Sequence, residues 1–118
     1  MDRLLQRQDF QAVMDAEVVS RTRHFVLHRR LASPEWHAGS QIGVVVPKRW
    51  AKRAVTRNAI KRQIYTVMDD YDSRLPTADH VIRLRVAFDK QLFISATSPL
   101  LKQAVRSELH QLLARVLT

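Results

Sequence analysis

The sequence predicts an α+β domain, a small sheet packed with helices in the order α-β-β(-β)-α-β-α. Three observations carry that prediction. Ile42-Gly43-Val44-Val45-Val46 and the alternating run from His80 to Phe88 have the composition and period of strands. Two longer segments, 53–71 and 98–117, repeat apolar residues at helical spacing instead. The chain has 118 residues, 46% of them hydrophobic, which suits one domain with its own core.

The elements follow in order. Phe10, Val13 and Met14 stand at i, i+3 and i+4 and predict a short first helix. His24-Phe25-Val26-Leu27-His28 is short and rich in β-formers, hence a strand. The stretch from Ser33 to Ser40 contains Pro34 and Gly39 and reads as a turn-rich connection. The strand at 42–46 stops at Pro47, whose nitrogen cannot donate to a ladder. From Arg53 to about Tyr71, the residues Ile60, Ile64, Val67 and Tyr71 share one helix face, and Arg74-Leu75-Pro76-Thr77 ends it. In the last strand Ile82, Leu84, Val86 and Phe88 face one way, Arg83 and Arg85 the other. Ser98-Pro99 is an N-cap followed by proline at the first helical position; Leu101, Val105, Leu109, Leu112 and Val116 then form a stripe. With two glycines and no Pro-rich or Ser-rich stretch, no linker divides the chain.

Charge narrows the function. Lys and Arg number 20 against 11 Asp and Glu, a net charge of +9. Such an excess points to a polyanionic partner, nucleic acid before an acidic membrane surface or an acidic protein. The lack of cysteine excludes disulfides, thiolate metal sites and Cys nucleophiles. No run of 18 apolar residues offers a membrane span. The polar, acid-bearing start from Met1 to Asp9 reads as neither signal nor transit peptide, so an intracellular protein without a membrane partner is expected.

The charge is also concentrated. From Trp36 to Met68 no acidic residue occurs, and residues 48–62 hold seven cations: Lys48, Arg49, Lys52, Arg53, Arg57, Lys61 and Arg62. On a helical wheel Arg57, Asn58, Lys61 and Arg62 share one arc, opposite Ile60, Ile64 and Val67. A solvated helix face usually interleaves both signs for i,i+4 pairs; this one does not. Its guanidinium groups can grip phosphate in bidentate fashion, and Asn58 can reach a base edge or a backbone oxygen. A basic amphipathic segment also suits a membrane surface, but this one lies between strands of a folded domain.

These residues resemble a known family. The run Ile42 to Arg49, followed by Ala54-Val55-Thr56-Arg57-Asn58-Ala59-Ile60-Lys61-Arg62, is similar to the protein subunit of bacterial ribonuclease P. Asp9-Phe10-Gln11-Ala12-Val13-Met14 and Arg23-His24-Phe25-Val26-Leu27-His28 resemble the same family's first helix and first long strand. Ala59 stands where the family carries the second arginine of Arg-Asn-Arg, and Pro47 precedes the basic pair where Ser or Ala is usual. Met14 and His28 stand where aromatic residues are frequent.

The resemblance implies a small mixed sheet with three helices, of the ribosomal protein S5 domain 2-like fold, with a left-handed βαβ crossover. It also implies a single RNA-binding domain over residues 1–118, in the bacterial cytoplasm. Its partners would be ribonuclease P RNA and the 5′ leader of precursor tRNA, with no DNA and no membrane. Catalysis would rest with the RNA and Mg2+ held mainly there, the protein carrying no catalytic residue. Lys48, Arg49, Lys52, Arg53, Arg57, Asn58, Lys61 and Arg62 would hold the catalytic RNA and the start of the leader. Phe10, Met14, Val26, His28 and Val45 would line a cleft for the rest of it. Single strands are bound by such a basic track plus stacking platforms. On the residues alone, Phe10 suits either a platform or the core of a short helix, and Trp50 is expected to pack locally.

Other readings remain at this point. A ribosomal or other structural RNA-binding protein shares every electrostatic feature. A DNA regulator would need a helix-turn-helix or a dimer seam, and neither is legible. An autonomous metal nuclease would rest on Asp69, Asp70 and Asp72, which read better as a solvated helix end.

Overall fold

The computed structural model describes residues 1–31, 39–89 and 98–117. The turn-rich connection expected from Ser33 falls outside the described residues as far as position 38. The elements are β1 (Asp2–Arg3), α1 (Arg7–Ala16), β2 (Val18–Arg21), β3 (Phe25–Leu31), β4 (Gln41–Val45), α2 (Ala54–Tyr71), β5 (Ala78–Leu84) and α3 (Pro99–Ala114), with a 3₁₀ turn at Asp72–Arg74. The five strands form one mixed sheet in the order β1-β4-β5-β3-β2. β4, α2 and β5 make a crossover between adjacent parallel strands, while β3 runs antiparallel to both β5 and β2. The expected α+β class and helix order hold, and β2 is the optional extra strand.

Two strands differ from expectation. β1, only two residues long, adds a parallel edge to β4 through Asp2↔Gln41 and Arg3↔Ile42; so short a piece shows no period. β5 ends at Leu84 rather than Phe88. Arg85 still donates its N–H to the His24 carbonyl at 2.8 Å, after which the chain turns so that Phe88 stacks on His24, ring centroids 3.9 Å apart. β5 has strands on both sides and helices over both faces, so His80 and Val81 are buried alike despite the alternation.

Registers assign every strand residue to a face. Phe25 with Leu84, Leu27 with Ile82 and Val44, and His80 with Ile42 line the face under α2 and α3. There Ile60, Ile64 and Met68 of α2 meet Leu101, Val105, Leu109 and Leu112 of α3 in one core. α3 starts as its sequence dictates: the Ser98 hydroxyl accepts the Leu100 N–H at 3.2 Å, with Pro99 at the first turn. Glu108 ties α3 to the sheet by accepting from the Thr22 hydroxyl and the His24 N–H, both at 2.7 Å. Among the described residues the opposite face carries α1, with a small cluster of Leu4, Val13 and Val81 beneath it.

Candidate nucleic-acid interface

The basic surface is built by the end of β4 and the start of α2. Pro47 stops the strand, and its carbonyl accepts the N–H groups of Trp50 and Ala51, closing a tight turn. That turn leaves Lys48, Arg49, Lys52 and Arg53 exposed. Trp50 packs against the main core with the Arg49 guanidinium 5.1 Å from its ring centroid. α2 then begins at Arg53 with no side-chain cap and no acid in its first turn. A helix start normally recruits Asp, Ser or Glu against its orphan N–H groups and positive dipole end. Here the segment leading into the helix carries Lys48, Arg49, Lys52 and Arg53 instead, and no acid.

Further along, Asn58 and Arg62 are exposed, and Arg57 and Lys61, which flank the buried arc of Ile60, Ile64 and Val67, are half-buried. None of the seven cations joins an ion pair among the described residues. Arg57 also serves the fold, since its Nη1 donates to the carbonyls of Ala51 (3.1 Å) and Lys52 (2.8 Å) and so locks the turn to the helix.

The five residues expected to line a cleft all fall on or under α1, but at two depths. Phe10 lies directly over Gly43, where an added Cβ would stand 2.4 Å from the ring, so only glycine lets the helix seat there. Phe10, Met14 and Val45 are half-buried and line an open groove of about 470 Å³ with Leu5, Arg7 and Gln11. Val26 and His28 do not reach it: they are 1% and 4% exposed and form the layer beneath. Burial, with the Arg83 charge second, pushes His28 below the ordinary histidine range, outweighing the nearby Met14 carbonyl. Arg7 and Gln11 were not singled out from the sequence, yet they share the helical arc of Phe10 and Met14 at three- and four-residue spacing.

The acidic group at the end of α2 is otherwise engaged. Asp69 and Asp72 lie 3.2 and 3.4 Å from the N-terminal ammonium of Met1, which ties β1 to the helix end.

The family model for ribonuclease P matches residues 1–116. The ribonuclease P protein component of Paraburkholderia xenovorans is 34% identical over 111 residues, spanning 94% of this chain and 77% of that one. The one from Ralstonia pickettii is 37% identical over 110 residues, 93% and 75% of the two chains. Among solved structures, the RNase P protein of Staphylococcus aureus superposes with a TM-score of 0.74 at 22% identity, over 100% of this chain and 99% of that one. That of Thermotoga maritima gives 0.68 at 26% identity, with 100% of both chains covered. By that family match over nearly the whole chain and by these relatives, the chain belongs to the ribonuclease P protein family, the protein subunits of the ribonucleoprotein that matures the 5′ ends of tRNA.

Proposed function

We propose that two adjoining surfaces divide the work of this subunit. The turn and α2, through Lys48, Arg49, Lys52, Arg53, Asn58, Lys61 and Arg62, hold the catalytic RNA and the first leader nucleotides. Arg57 shares in this while keeping the turn in place. The groove of Phe10, Met14 and Val45 takes the single-stranded leader beyond them, resting on Val26 and His28. Base stacking on such a platform is worth about 1–3 kcal/mol per base. Val45, a wall of the groove, precedes Lys48 of the basic turn by three residues, so the two surfaces adjoin along the chain. Mg2+ belongs to the RNA subunit in this reading, and the protein contributes binding and position. The setting is the bacterial cytoplasm; among the described residues no helix is long and apolar enough to cross a membrane.

The uncapped, acid-free start of α2 carries the proposal. Its test is reconstitution with a bacterial ribonuclease P RNA and a 5′-extended precursor tRNA, at Mg2+ low enough that the RNA alone is nearly inactive. Lys61→Ala and Arg62→Ala should each weaken RNA binding and lower the salt slope by about one unit. Melting temperature should stay near that of the parent, since both sit on the outward arc. Unchanged affinity and slope in both variants would remove α2 from the interface.

A further inference from the structure

The sheet floor beside the groove carries two arginines, Arg83 and Arg21, that join no ion pair among the described residues. Register pairs Val45 of β4 with Arg83 of β5, Arg83 with Val26 of β3, and Val26 with Arg21 of β2. Paired residues share a face, so Arg21–Val26–Arg83–Val45 is one row running across four strands on the side that bears α1. Val45 is at once the end of this row and a wall of the groove. At the usual strand spacing the row extends roughly 14 Å from that wall.

Arg83 is half-buried, and its only side-chain hydrogen bond among the described residues runs from Nε to His28 Nε2, at a long 3.4 Å. The contrast on the same face is Arg30, which meets the buried Asp79 carboxylate at 2.8 Å. Asp79 is thus committed elsewhere, and no carboxylate pairs with Arg83 among the described residues. Arg21, at the outer end of the row, is exposed and likewise unpaired there. A guanidinium taken partly out of water without a counter-charge is costly unless an anion arrives. His28 cannot be that partner, since an imidazole offers a neutral acceptor at best. Val45 offers apolar surface at the groove end of the row, while Val26, 1% exposed, lies beneath the level of the two cations.

Building on the groove reading above, we infer that this row continues the leader track across the sheet. Arg83, and then Arg21, bind backbone phosphates of leader nucleotides lying beyond those on Phe10 and Met14.

The test uses the reconstituted holoenzyme and precursor tRNAs with leaders of increasing length. Arg83→Met keeps the stem's apolar contacts and removes the charge. It should weaken binding roughly tenfold, with a salt slope smaller by about one unit, once the leader is long enough to reach the row. Arg83→Lys should restore part of the loss. Arg21→Ala, at an exposed site that does not threaten folding, should show a smaller loss that begins at still longer leaders. Equal affinity across the series for Arg83→Met and Arg21→Ala would overturn the inference. A loss independent of leader length would also overturn it, by assigning the arginines to the catalytic RNA. Phe10→Ala separates the two levels. If it abolishes the gain from leader length while Arg83→Met and Arg21→Ala do not touch it, the groove stands and the row falls. If Phe10→Ala has no effect, the groove reading fails first.

Discussion

The two faces of the sheet are covered to very different extents. Under α2 and α3, Leu27, Ile82, Leu84, Ile60, Ile64, Leu109 and Leu112 close into one core with almost no exposure. Under α1, a ten-residue helix with no side-chain cap at its start, Leu4, Val13 and Val81 form a small cluster with Val26 and His28 buried beside it, while Phe10, Met14 and Val45 stay half-buried. Two long helices can shield a small sheet from water; one short helix cannot. Stability accordingly resides on the closed face, and the groove lies on the face the chain leaves partly open.

That contrast can be broken most strongly at Leu109. Leu109→Ala leaves a cavity among residues that cannot all collapse into it and should cost about 2–5 kcal/mol, read by urea unfolding. Truncation of the half-buried Met14 should cost clearly less, and equal losses would mean that both faces carry the fold.

His80 sharpens the comparison, as a histidine sealed into the closed face with neither ring nitrogen hydrogen-bonded among the described residues. Burial first, and the Arg29 charge second, push its pKa down to about 4, against the pull of Asp79 and Asp72. The unfolded chain therefore binds the proton more readily. Stability from this group is complete above pH 6.5 and drains away toward pH 4, by up to about 3 kcal/mol. His80→Phe should flatten that stretch of the stability curve. A slope unchanged by the substitution would assign acid sensitivity to other groups.

The smallest effect is expected at Gly43. A methyl group there meets Phe10 at 2.4 Å, so Gly43→Ala must displace the ring and the start of α1, at about 1–3 kcal/mol. Leader affinity should fall while affinity for the catalytic RNA holds. Loss of both together would show that the two surfaces are mechanically one.

Much of this was legible in the residues. The helix expected from Arg53 to Tyr71 forms from Ala54 to Tyr71 with the anticipated apolar arc inward. Ser98-Pro99 opens α3 as an N-cap should. Even the assignment of Arg83 to the face opposite Ile82 and Leu84 follows from period alone. The depth of Val26 and His28 did not, because burial of a strand residue depends on which helix lies over it. Nor did the reach of β5, whose last residues leave the sheet so that Phe88 can cover His24 and Phe25.

By itself the sequence determined the helices and the longer strands, their inward and outward faces, and a basic segment without acidic residues, since all three follow from spacing along a single stretch of chain. Only tertiary structure decided that Arg21, Arg83 and Val45 share a row and that Asp69 and Asp72 meet the amino terminus. Those neighbours lie tens of residues apart. Strand register and helix docking bring them together, and both are settled by the burial of the whole core rather than by any local pattern.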